Sequence, residues 1–87
     1  TLHINSRDVK MPLYVRNRKE GDFIEVKGSG KRKIKDIFID YKIKKDERDN
    51  YPIVVDSLDR VIWIPKLKKS KYDVQNRELC DIIFKCL

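Results

Sequence analysis

Two clusters of cations are the residues of this chain best suited to chemistry, and that chemistry is the binding of phosphate. Arg16, Arg18 and Lys19 stand close together, and Lys31, Arg32, Lys33 and Lys35 follow. A guanidinium presents a planar fork of donors that fits a phosphate bidentately, and two arginines at i and i+2 of an extended segment point to the same side. Such a pair suits neighbouring phosphates of a nucleic acid. The same clusters also read as a surface that keeps a small domain soluble.

Covalent chemistry has little support. The only histidine, His3, lies in a weakly patterned opening, and no Gly-x-Ser-x-Gly is present to mark a nucleophile. Asp36 and Asp40 would share a helix face and could serve as a metal or acid/base pair. Lysines surround them, however, and an ion-paired solvated face is the ordinary reading. Gly28-Ser29-Gly30-Lys31 departs from a Walker loop, with Glu25 where the first glycine belongs and Arg32 where Ser or Thr belongs. What survives is a glycine turn ahead of a helix, whose free N–H groups can meet a phosphate oxygen. Cys80 and Cys86 match neither a CxxC pair nor a zinc half-site and are expected as reduced, buried thiols. No catalytic residue, metal or cofactor is expected in this chain itself.

The elements that must position the cations can be read from periodicity. Pro12 to Arg16 and Asp22 to Val26 are rich in strand formers and predict two strands, with Gly21 free to take the positive φ that a tight reversal needs. After the second glycine loop, Ile34, Ile37, Phe38 and Tyr41 fall on one helix face. Arg32 and Lys33 then stand near the helix N-terminus, where the macrodipole disfavours cations, which hints at an external anion. Pairing of Lys33 with Asp36 at i,i+3 is the competing account. Lys44 to Asn50 predicts a helical turn, and residues 52 to 64 a hairpin buried on both faces, ended by Pro65. Residues 1–11 read as a linker or frayed first strand and 12–87 as a single domain; the tail is a helix or a closing strand, with the strand preferred over Asp81 to Cys86.

Composition agrees with one folded, polyanion-binding domain. The 87 residues suffice for one modest core. The balance of 21 Lys plus Arg against 14 Asp plus Glu gives +7, which favours RNA, DNA or an anionic membrane. No apolar run approaches the ~20 residues that span a bilayer, and no export signal is visible, so a soluble cytoplasmic protein is expected.

The order of the motifs carries a family resemblance. Arg16-Asn17-Arg18-Lys19-Glu20-Gly21-Asp22 resembles the Arg-x-Arg-x-x-Gly-Asp signature of the C-terminal domain of bacterial tRNA(Ile)-lysidine synthetases. Gly30 to Asp40 is similar to that family's basic-start Lys-Asp-aromatic helix. Lys42-Ile43, Arg48, Pro52 to Asp56 and Ile62-Trp63-Ile64-Pro65 follow with the family's spacing, so the likeness covers residues 13–70. Two departures fall at turns and add charge: Lys44 stands where the family commonly has proline, and Lys66 where it has glycine.

The resemblance implies an α+β fold, a compact strand-rich domain with one principal helix, similar to a domain of the phenylalanyl-tRNA synthetase β subunit. It implies a non-catalytic tRNA-binding module that contacts the acceptor stem of tRNA(Ile) with a CAU anticodon. Arg16, Arg18, Lys31, Arg32, Lys33, Lys35 and Arg48 are the expected contacts. The parent enzyme's N-terminal domain would bind ATP, Mg2+ and lysine and join lysine to the wobble cytidine, and the full-length protein could form a homodimer. The competing function is a structural or protein-interaction domain whose basic surface docks an acidic partner or its own catalytic domain.

Overall fold

In the computed structural model of the chain, residues 2–74 and 82–84 are described. The elements run β1 (Leu2–Ile4), β2 (Tyr14–Asn17), β3 (Phe23–Val26), β4 (Gly30–Lys33), α1 (Ile34–Asp40), α2 (Lys45–Arg48), β5 (Pro52–Val55), β6 (Val61–Ile64), β7 (Lys68–Lys69) and β8 (Ile82–Phe84). A six-stranded mixed sheet has the order β2-β5-β6-β3-β4, with β7 added to β6, and β1 and β8 form a second, two-stranded sheet. Only β3 and β6 of the larger sheet run parallel. The α+β expectation with one principal helix is what the chain adopts.

The hairpin β5–β6 is the centre of the molecule because its apolar run offers side chains to both faces. Ile53, Val55, Val61 and Ile64 pack with Ile24 and with Ile34, Ile37 and Phe38 of α1. Val54, Ile62 and Trp63 pack on the other side with Leu2, Ile4 and Val9. Residues 1–11, expected as a linker or frayed strand, thus contribute a core layer: Leu2 and Ile4 are 0% exposed. Burial of such side chains stabilises by about 1.5–3 kcal/mol each. The strand preferred for the tail is seen over Ile82–Phe84, paired with β1; the rest of Asp81 to Cys86, with both cysteines, lies outside the described residues.

Seven residues are too few for α1 to persist alone, so burial of Ile34, Ile37 and Phe38 holds it. Its C-terminus closes as a Schellman motif. Lys42 takes φ +55°, its N–H donates to Ile39 O at 3.0 Å, and the Ile43 N–H donates to Phe38 O at 2.9 Å. Because the chain reverses there, Tyr41 leaves the apolar face on which its spacing placed it and is 45% exposed.

The loop at residues 27–29 corrects one expectation. The glycine turn does not open into the helix but closes the β3–β4 hairpin, with the Ser29 N–H donating to Val26 O at 3.1 Å. Lys31, Arg32 and Lys33 therefore ride on an edge strand, and only Lys33, as N-cap, touches the helix start. Strand and helix formers alternate too briefly over 30–34 for periodicity to separate them.

Lys66, which stands where the family commonly has glycine, takes φ +69°. Proline before it and the Leu67 N–H donating to Ile64 O at 3.0 Å complete a type II-like turn, whose third position favours glycine. Lys66→Gly should stabilise the domain by about 0.5–1 kcal/mol, the left-handed cost relieved less the extra freedom of the unfolded chain. A urea midpoint that falls would contradict the turn.

Candidate nucleic-acid interface

The Arg-x-Arg-x-x-Gly-Asp segment folds into a clasp. Arg16 projects from β2, and its Nη1 and Nη2 donate to the two carboxylate oxygens of Asp22 at 2.7 and 3.1 Å. Its Nε donates to Asp59 at 3.0 Å, and Nη1 also to Asn17 O at 3.0 Å. Gly21, at φ +86°, turns the loop back so that Asp22 can meet the arginine six residues before it. Asp22 also accepts the Lys19 N–H at 2.7 Å, and its carbonyl accepts the Ile34 N–H at 3.1 Å. One aspartate thereby joins the first basic cluster to the start of α1.

Burial pushes the Asp22 carboxyl up, but the hydrogen bonds from Arg16 and Lys19 and their positive charge outweigh it, holding the group below the ordinary carboxylate range. Arg16 is only 16% exposed at its side chain. Its guanidinium is committed to the fold, which the sequence, showing only charge and spacing, gave no means to see.

The other expected contacts divide in the same way. Arg32 reaches across to Asp40 on α1 at 2.6 Å, and Arg48 Nε donates to Ile43 O at 2.8 Å beside the end of α1. Lys33 makes no ion pair with Asp36; among the described residues Lys33 and Lys35 are exposed and carry no ion pair at all. Lys31 lies with Nζ 4.8 Å above the Phe23 ring, an arrangement that leaves its donors to solvent. Arg18, the second arginine of the clasp, has no ion pair among the described residues, and its Nε is buried without a hydrogen-bond partner among them.

The register explains why the free cations stand out. Phe23 lies opposite Lys33 and Glu25 opposite Lys31, so these four share one face of the β3–β4 hairpin. Ile24, opposite Arg32, is on the inward face and is 0% exposed. Lys31 and Lys33 are hence exposed together on an edge strand, Arg32 is turned toward α1, and Lys35 lies just beyond on the exposed side of the helix.

On the outer side Lys71 joins Glu25 at 2.8 Å and Arg60 stacks on Tyr72, with Cζ 5.2 Å from the ring centre. Arg60 also closes on Asp56, whose carboxylate accepts the N–H groups of Lys10, Leu58 and Arg60. Asp22, Asp56, Phe23, Arg60 and Tyr72 were not singled out from sequence as site residues. Only the closing Asp of the signature motif carried a signal for one of them.

Among the described residues no group of three His, Cys, Asp or Glu side chains converges as a metal site, and no helix is long and apolar enough to cross a membrane. What the surface offers is a β-edge whose lysines have no ion pair among the described residues, backed by a salt-bridged frame.

Comparison with known proteins identifies the family. The family model described as the TilS substrate C-terminal domain matches residues 13–83. A Bacillus subtilis protein named tRNA(Ile)-lysidine synthase is 51% identical over 70 residues, covering 79% of this chain and 15% of its own length. A Listeria innocua protein named bifunctional protein TilS/HprT is 48% identical over 71 residues, covering 80% of this chain and 11% of its own. A solved structure titled crystal structure of TILS C-terminal domain superposes with a TM-score of 0.82 at 45% identity, covering 87% of this chain and 59% of that one. The chain thus spans only about a ninth to a seventh of these full-length relatives. With the family model matching most of its length, the chain belongs to the TilS substrate C-terminal domain family.

Proposed function

We propose that this domain holds tRNA(Ile) for a tRNA(Ile)-lysidine synthase, gripping the acceptor stem through phosphates while the chemistry proceeds in another part of the longer protein. That part would bind ATP, Mg2+ and lysine and would modify the wobble cytidine. The relatives' name supplies the RNA. One observation carries the binding mode: the carboxylates of the frame are already paired with Arg16, Arg32, Arg60 and Lys71, while Arg18, Lys31, Lys33 and Lys35 have no acidic partner among the described residues. A-form RNA hides its base edges in a narrow groove and is held mainly through phosphates, 2′-hydroxyls and shape, for which fixed cations suffice.

Arg16, Arg32 and Arg48 support this surface from beneath. Their internal bonds set the crossing loop, the edge strand and the helix end on which the free cations ride.

A second reading has its own observation. Strand β2 is a sheet edge on which Tyr14 is 54% and Val15 69% exposed, which suits docking against another protein surface, such as the rest of the longer chain. Titration separates the two. The chain should bind tRNA with log K falling linearly in log salt, and an acidic protein of matched charge should not compete. Salt-insensitive binding, or full competition by the acidic protein, would favour docking instead.

A further inference from the structure

A cavity of about 260 Å³ has Phe23, Leu58, Val61 and Tyr72 in its walls with Asp22, Glu25, Asp59 and Arg60 as its charged residues, and Lys31 packs on its Phe23. Three separated segments meet there because β3 pairs with β6 in parallel and Tyr72 is drawn in by Arg60. Phe23 and Leu58 are 41% and 62% exposed, so two large apolar side chains stand in water at one spot. The volume is just below the roughly 300 Å³ at which drug-sized ligand pockets begin, which suits one small ring system.

The chemistry of the walls narrows the ligand. Phe23 offers an aromatic platform, and Lys31 Nζ, 4.8 Å above that ring, stands where a phosphate next to a stacked base would need a counter-charge. The Asp59 carboxylate gives one oxygen to Arg16 and is 59% exposed at its side chain, so its other oxygen is open to a donor. Arg16 fixes its direction. A carboxylate accepts from the exocyclic amine of cytosine but not from uracil, which offers a carbonyl oxygen at that place.

We infer that this cavity is a subsite for a single unpaired RNA base bearing an exocyclic amine, stacked on Phe23 with its phosphate against Lys31. The inference rests on the proposed RNA-binding function and adds to it a contact that duplex phosphates cannot make.

The test uses the 87-residue chain and RNA duplexes of one sequence carrying a single 3′ overhanging nucleotide, which is cytidine, uridine or an abasic residue. All three have equal phosphate charge. The cytidine overhang should bind on the order of tenfold more tightly than the abasic one, with uridine between them, because it stacks on Phe23 but lacks the amine. Phe23→Ala should remove that gain, with its abasic duplex as the reference for any general loss through Lys31, which packs on the same ring, while Phe23→Tyr should keep it. Thermal melts of both variants identify any loss that is due to unfolding. Equal binding of cytidine and abasic duplexes by the wild-type chain overturns the subsite alone, and a uridine gain equal to that of cytidine overturns the role of Asp59. Failure to bind any of the three overturns the RNA-binding function, and the subsite with it.

Discussion

Asp56→Ala should unfold much of this domain's stability, by about 3 kcal/mol or more. The residue is 1% exposed, and its carboxylate accepts N–H groups from Leu58 and Arg60 at one oxygen and from Lys10 and the Arg60 guanidinium at the other. Those bonds shape the β5–β6 turn and anchor the segment that follows β1. Breaking a buried pair by removing one partner costs about 3–5 kcal/mol. The Arg60 side chain, 38% exposed, can recover water and reduces that figure, while the backbone donors lose their acceptor and raise it.

For a domain of this size 1 kcal/mol moves the melting midpoint by roughly 4–8 °C, so the variant should melt at least about 12 °C lower. Asp56→Asn should lose less, since one amide oxygen still accepts the two turn N–H groups. A loss under about 1 kcal/mol in a urea melt would show that the turn does not depend on the carboxylate.

The same residue gives the pH dependence its sign. Burial pushes the Asp56 carboxyl up, but the hydrogen bonds from Arg60 and Lys10 outweigh it and hold the group below the ordinary carboxylate range, as at Asp22. A group whose folded value is depressed contributes stability above its unfolded value and loses it as pH falls through the folded one. The domain should therefore weaken progressively below about pH 4. Asp56→Ala should show a shallower acid limb.

Converting Arg18, Lys31, Lys33 and Lys35 together to Ala should weaken tRNA binding by roughly 10²- to 10³-fold near physiological salt and flatten its log–log salt slope by about three units, each lost phosphate contact removing somewhat under one. The melting midpoint should move little, because Lys31, Lys33 and Lys35 are exposed and such side chains contribute little to the fold, and what shift there is should come from the half-buried Arg18. Arg16→Ala is the informative contrast. It breaks a bidentate pair and frees the crossing loop, so it should lower the midpoint while changing the salt slope of the still-folded fraction by less than one unit. In the full-length enzyme the quadruple change should raise the tRNA concentration needed without altering ATP binding, given chemistry in another domain. A wild-type salt slope in the quadruple variant would mean that these cations only keep the domain soluble, and docking through β2 would become the better reading.

Much of this architecture is local in origin and could be read residue by residue. The run Pro52 to Ile64 has too few polar side chains to expose either face, so a doubly buried hairpin follows from composition alone, and α1 announces itself in the spacing of Ile34, Ile37 and Phe38. The positive φ of Gly21 was legible because a short polar loop between two strand patterns needs a reversal that glycine makes cheaply. The burial of Leu2 and Ile4 was not. Three strand residues carry no usable period, and what covers them, Val54, Ile62 and Trp63, comes from the distant β5–β6 hairpin.

What the sequence by itself determined was the inventory: a basic, folded, strand-rich domain with its cations in two clusters and an order of motifs specific enough to mark the family. What only the tertiary structure decided was which cations are free. Arg16 and Arg18 are indistinguishable by type and spacing, yet one is locked between Asp22 and Asp59 and the other has no carboxylate among the described residues, because the acid that reaches Arg16 is delivered by a glycine turn and a hairpin elsewhere in the chain. Charge is a property of a residue, but its availability to a phosphate depends on which opposite charge the fold brings within about 4 Å, and that pairing is made by contacts distant in sequence.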